Sequence, residues 1–273
     1  MWPSNAAVEY EATNRAESTA GGIRFNNEIG LEFSRQTLIT ATDFIWQLFQ
    51  QNTEADRKSV AKVSLFIDPM DGVAYTSNNE IHVSANYVGN YSGDVKTEIV
   101  GVLYHEDTHV WQWNGNGQAN GGLIEGIADF VRLRANYAPS HWVQPGEGDR
   151  WDQGYDVTAR FLDYCTTLKS GFVAELNAKM RDGYSDNYFV DLLGKTVDQL
   201  WNDYKANVLA ENFGNGIEEI GALSRVSDDD EDDGEWRGQN GNIVFSAPMP
   251  EKMESRTDLI KRKNVKFELH DGP

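Results

Sequence analysis

The chain has 273 residues, 40% of them hydrophobic, which is enough to bury a full core, and it carries a formal net charge of -19. That excess of acid argues against nucleic acid as a partner, because phosphate recognition needs a basic face; nor does any stretch approach the roughly 18 apolar residues of a membrane span. The single cysteine, Cys165, can form no internal disulfide and is expected in the core.

In chain order, residues 1–12 read as a flexible start, and the opening MWPSNAAVEYEATNRAEST has no apolar run of the kind a signal peptide needs. Gly30 to Gln50 places Leu31, Phe33, Leu38, Phe44, Ile45 and Leu48 at helical spacing. Val60 to Asp68 alternates as a strand, Asp71-Gly72 reads as a turn, and Val73 to Thr76 and Ile81 to Tyr87 continue a small sheet. Asp94 to Tyr104 repeats Val95, Ile99, Val102 and Leu103 on one stripe and predicts a buried helix running into His105. Trp113 to Gly122, rich in glycine and asparagine, should turn the chain back before a second helix from Gly121 to Asn136. Tyr155 to Leu168, Phe172 to Met180 and Tyr188 to Val208 predict three further helices, and Cys165 falls on an apolar pattern with Phe161, Leu162 and Leu168. From 226 to 273 the composition changes to an acidic tail, with six acids in a row from Asp228 to Asp233, and this segment reads as disordered.

The chemistry concentrates at His105, Glu106 and His109, in the spacing HExxH. On a helix, residues four apart share a face, so both imidazoles can bind one Zn²⁺ while Glu106 reaches a water beside it. A catalytic zinc takes three protein ligands and keeps one position open. The metzincin arrangement would need Gly and His at positions occupied by Gln112 and Gly115, so it is excluded. The thermolysin-like arrangement takes a Glu from a second helix and an Asp one turn later, and Glu125 and Asp129 have that spacing. Glu125 is the expected third ligand, and Asp129 is expected to orient a zinc-binding imidazole from behind. Asp107, on neither ligand face, is expected to be exposed. For the oxyanion that peptide hydrolysis develops, His141 and Tyr137 are the candidates, with Tyr155 as an alternative.

The run HEDTHVWQWNGNGQANGGLIEGIADFVRLRANYAPSHW, followed by RWDQGYDVTARFLDYC and LLGKTVDQLWNDYKA, resembles the plant basic secretory protein family, the peptidases of plants and bacteria. The resemblance extends from about Thr13 to about Asn207. It implies a secreted zinc metallopeptidase linked to plant defence, with His105 and His109 as ligands and Glu106 as the catalytic residue. Family members are usually basic and carry Met where this chain has Asp107. The expected architecture is α+β and zincin-like: a small mixed sheet, then a helical bundle with the HExxH helix at its centre, over residues 13–225. In such a fold Ile81 to Tyr87 would be the edge strand on which an extended peptide pairs. The expected function is that of a monomeric endopeptidase in which Glu106 activates a zinc-bound water. The alternative is a non-catalytic defence or binding protein that retains the zinc.

Overall fold

A computed structural model describes residues 8–223, with backbone alone for 211–223. The chain divides into two compact units, Met1–Ala210 and Glu211–Pro273, and the side-chain detail below belongs to the first. The acidic run Asp228 to Asp233 and the rest of the expected tail lie outside the described residues.

The architecture is α+β. Four strands, β1 (Glu9–Asn14), β2 (Lys62–Asp68), β3 (Ala74–Ser77) and β4 (Glu80–Ser84), form one mixed sheet in the order β1-β2-β4-β3. The first two pairings are parallel and β3 runs antiparallel to β4. Ser77 pairs with Glu80 across a two-residue turn, and Asn78 and Asn79 both take positive φ, which a tight hairpin matched to strand twist requires.

Three expectations change here. β1 occupies part of the segment assigned to a flexible start: its outward glutamates, Glu9 and Glu11, dilute the apolar signal, while Tyr10 and Ala12 pack inward and the backbone pairs with β2. The predicted strand Ile81 to Tyr87 ends at Ser84, whose side chain accepts the Tyr87 N–H and caps a short helix, α3 (Ala85–Asn90). β4 lies between β2 and β3, so it is not an edge; the edges are β1 and β3.

Helices α1 (Ala20–Glu28) and α2 (Leu31–Leu48) follow β1, and α2 buries Leu38, Ala41 and Ile45. The motif helix α4 (Val95–Trp111) is buried on nearly every side, with α2 along one flank and β3 at another. After it come α5 (Gly121–Arg134), α6 (Tyr155–Leu168), α7 (Phe172–Lys179), α8 (Asn187–Leu193) and α9 (Val197–Leu223). The single helix expected over Tyr188 to Val208 is two. Gly194 ends α8 in the left-handed conformation, and Thr196 and Gln199 then exchange side-chain and backbone bonds in a capping box that starts α9. Phe161 stacks on Phe189, Phe172 packs tilted against it, and Cys165 is fully buried among these helices. Among the described residues no helix is long and apolar enough to cross a membrane.

Candidate metal centre

α4 starts where the Asp94 carboxylate accepts the Thr97 N–H and hydroxyl, and it ends where Gln112 turns to extended backbone. The loop behind it reverses through Gly115, Asn116 and Gly117, all at positive φ, and Gly115 N–H donates to the Met180 carbonyl at 2.7 Å. Asn120 caps α5 by accepting the Leu123 N–H. α5 packs closely on the start of α6: a Cβ on Gly126 would lie 2.2 Å from Thr158 Cγ2, so only glycine allows this approach.

These elements bring His105, His109 and Glu125 together. His105 Nε2 is 3.1 Å from Glu125 Oε2 and 3.2 Å from His109 Nε2, and His109 Nε2 is 3.6 Å from Glu125 Oε2. Three atoms each about 2.0–2.1 Å from a tetrahedral zinc would be separated by roughly 3.3–3.4 Å, so the observed spacings fit that donor set. Asp129 Oδ1 lies 2.6 Å from His105 Nδ1, behind the ring, and is buried. Burial works against charge on His105, but Asp129 and Glu125 outweigh it and hold the imidazole well above the ordinary histidine range. Burial would likewise raise Glu125, yet His109 and His105 hold its carboxyl below the usual carboxylate range. Two acids thus flank a buried imidazole, His105, and one of them also meets the half-buried His109, an arrangement complementary to a cation.

Glu106 is 4% exposed and its Oε2 accepts the Thr76 hydroxyl at 2.7 Å from the edge strand β3. Tyr155, at the first position of α6, stacks nearly parallel to His105 with ring centroids 6.1 Å apart. Its φ is +46°, uncommon for a bulky residue and held by the Gly154–Tyr155 turn into α6. Burial, then the charges of Glu125, Asp129 and Glu106, push its phenol well above the ordinary tyrosine range, and a hydrogen bond to Glu125 adds to the effect. Tyr155 therefore stays protonated as a donor.

The other expected residues are elsewhere. Tyr137 packs its ring on Tyr104, and His141 is exposed and near Asp156. Among the described residues neither hydrogen-bonds to His105, Glu106, His109 or Glu125. Asp107 is fully buried, not exposed: α2 covers the back of α4, and the Thr42 hydroxyl donates to Asp107 Oδ2 at 2.7 Å. Desolvation pushes the carboxyl up to about 7, and among the described residues its Oδ1 has no hydrogen-bond partner.

Two residues at the site were not singled out as functional from sequence. Thr76 belongs to a short strand with no signal pointing at Glu106. Gln112 folds back so that its Nε2 is 2.7 Å from His109 Nδ1 and 3.3 Å from the Ile124 carbonyl. A polar residue three positions after the second motif histidine was the only available clue.

The family model described as peptidase of plants and bacteria matches residues 5–204. The chain belongs to this family. A similar curated relative of this basic secretory protein family, a "Basic secretory protease" from Boswellia serrata, is 51% identical over 57 residues, 21% of this chain and 64% of that relative. The chain thus spans less than two thirds of that relative's length. No solved structure matches the chain.

Proposed function

We propose that this family member is a zinc-dependent endopeptidase with a zincin-like arrangement of sheet edge and motif helix. The observation that carries the reading is the convergence of His105 Nε2, His109 Nε2 and Glu125 Oε2 at the spacings of a tetrahedral donor set, with Glu106 next to His105 on the helix that carries both histidines. The peptidase family and the protease name of the relative support the same class of reaction.

Zinc held by these three residues supplies a Lewis acid and lowers the pKa of water. Glu106, buried and steadied by Thr76, takes the proton from the attacking water and passes it to the leaving amine. Asp129 accepts the His105 Nδ1–H, which leaves Nε2 facing the cluster. The Tyr155 phenol, kept protonated, donates to the oxyanion that develops on the peptide carbonyl, in the place of His141 and Tyr137. β3 pairs only with β4 among the described strands, so its outer edge offers backbone donors and acceptors to an extended substrate. The catalytic unit includes β1, because that strand completes the sheet behind α2 and α4.

Glu106→Gln tests the reading. It removes the base and no ligand, so zinc content and folding should persist while cleavage of a mixed peptide library falls by about 10²–10⁴-fold. Wild-type protein that binds no zinc, or that binds zinc and cleaves no peptide, would overturn it.

A further inference from the structure

We infer that Gln112 is the positioning residue for His109, its carboxamide oxygen accepting the His109 Nδ1–H when zinc is bound. The inference rests on the zinc reading above and assigns the second histidine the support that Asp129 gives the first.

A histidine that offers its Nε2 lone pair to a metal must carry its proton on Nδ1. In His109 it is Nε2 that faces the cluster, 3.2 Å from His105 Nε2 and 3.6 Å from Glu125 Oε2. Its Nδ1 faces the Gln112 amide nitrogen at 2.7 Å. With the proton on Nδ1, two N–H groups would point at each other across that distance. The oxygen and nitrogen ends of a carboxamide have nearly the same shape, so a half-turn about the last side-chain bond exchanges them and converts the clash into a hydrogen bond.

The surroundings permit this half-turn. Gln112 is 2% exposed, and its Oε1 is buried without a partner among the described residues. The Ile124 carbonyl, which the amide nitrogen also approaches, lies inside α5 and is already supplied by the helical ladder. Either orientation leaves one buried amide atom unpartnered, and the half-turn gives up the 3.3 Å contact to Ile124, so it is the His109 Nδ1–H, facing a donor in one orientation and an acceptor in the other, that decides between them. The direction of the Gln112 amide then follows metal occupancy.

The experiment is zinc affinity, measured by competition with a chromophoric chelator on the full chain, for wild type, Gln112→Leu and Gln112→Glu, with circular dichroism as the folding control. Gln112→Leu should weaken zinc by about 10- to 100-fold, and Gln112→Glu should restore wild-type affinity or better. A carboxylate can accept from His109 but cannot donate to it or to Ile124. Equal weakening in both variants would therefore mean that the amide acts as a donor, and no weakening in Gln112→Leu would mean that it positions nothing; either overturns the inference and leaves the zinc reading standing. Wild type without zinc overturns both. If Gln112→Leu fails to fold, ¹⁵N-histidine spectra of zinc-loaded wild type decide: a His109 Nδ1 proton protected from water exchange is expected, and a rapidly exchanging one overturns the assignment.

Discussion

The Thr76 hydroxyl sits between two oxygens of Glu106, 2.7 Å from the carboxylate Oε2 and 3.0 Å from the backbone carbonyl, and so ties the edge strand to the motif helix. Thr76→Val keeps the shape and removes the donor. Hydrogen bonds to charged groups contribute about 1.5–3 kcal/mol, so kcat/KM should fall by about 10- to 100-fold while zinc content stays unchanged. Steady-state kinetics with parallel metal analysis check this, and full activity in the variant would show that Glu106 needs no such support.

Glu125→Ala and Asp129→Ala should differ in degree. The first removes a proposed ligand, whereas the second removes a 2.6 Å bond to His105 Nδ1, for which losses of about 10- to 100-fold in affinity are typical. Chelator competition should rank Glu125→Ala as the weaker binder, and the opposite order would mean that the roles on α5 are exchanged.

Asp107 predicts a pH dependence of stability. Its carboxyl rises from an ordinary 3.8 to about 7 on folding, chiefly through desolvation, so between these values the folded state holds the proton more tightly than the unfolded chain. The contribution of this group is therefore most favourable below about pH 4 and is lost as pH rises toward 7. Asp107→Asn cannot ionise. Thermal melts at pH 8 should place it above wild type by about 2–8 °C, the equivalent of roughly 1–2 kcal/mol, with the two converging below about pH 4. A variant less stable than wild type at pH 8 would contradict the assignment.

Gly126→Ala should separate α5 from α6, because its Cβ would fall 2.2 Å from Thr158 Cγ2. Thr158 in turn bonds the Gly154 N–H and the Trp151 carbonyl at the base of Tyr155. Overpacking of this kind costs about 1–3 kcal/mol, so melting should drop by roughly 3–10 °C. Activity at temperatures where the variant remains folded should drop as well, as Tyr155 shifts with α6. Unchanged melting would show that the two helices part freely.

The helices carrying the site were legible because each repeats apolar residues at helical spacing, and Glu125 and Asp129 could be paired because one turn of helix separates them. The back of the motif helix was not legible. Spacing shows that Asp107 faces away from the histidines, but whether that face meets water or α2 depends on packing between segments distant in sequence. β1 was hidden by its glutamates. The break between α8 and α9 was available in the sequence, since Gly194 and the TVDQ run spell a helix end and a capping box, yet the continuous apolar pattern masked it. Thr76 and Gln112 act through single contacts, which no periodicity reports.

The Asn78-Asn79 turn fixes which side of β3 faces inward. Alternate residues of a strand point to opposite faces, so one extra residue in that turn would flip the strand's set of side chains. Tyr75, now outside and stacked on His82, would rotate toward Glu106, and the Thr76 hydroxyl would leave it. A length change in a surface loop would thus disarm the base while sparing every metal ligand, a lesion readable as full zinc occupancy without turnover.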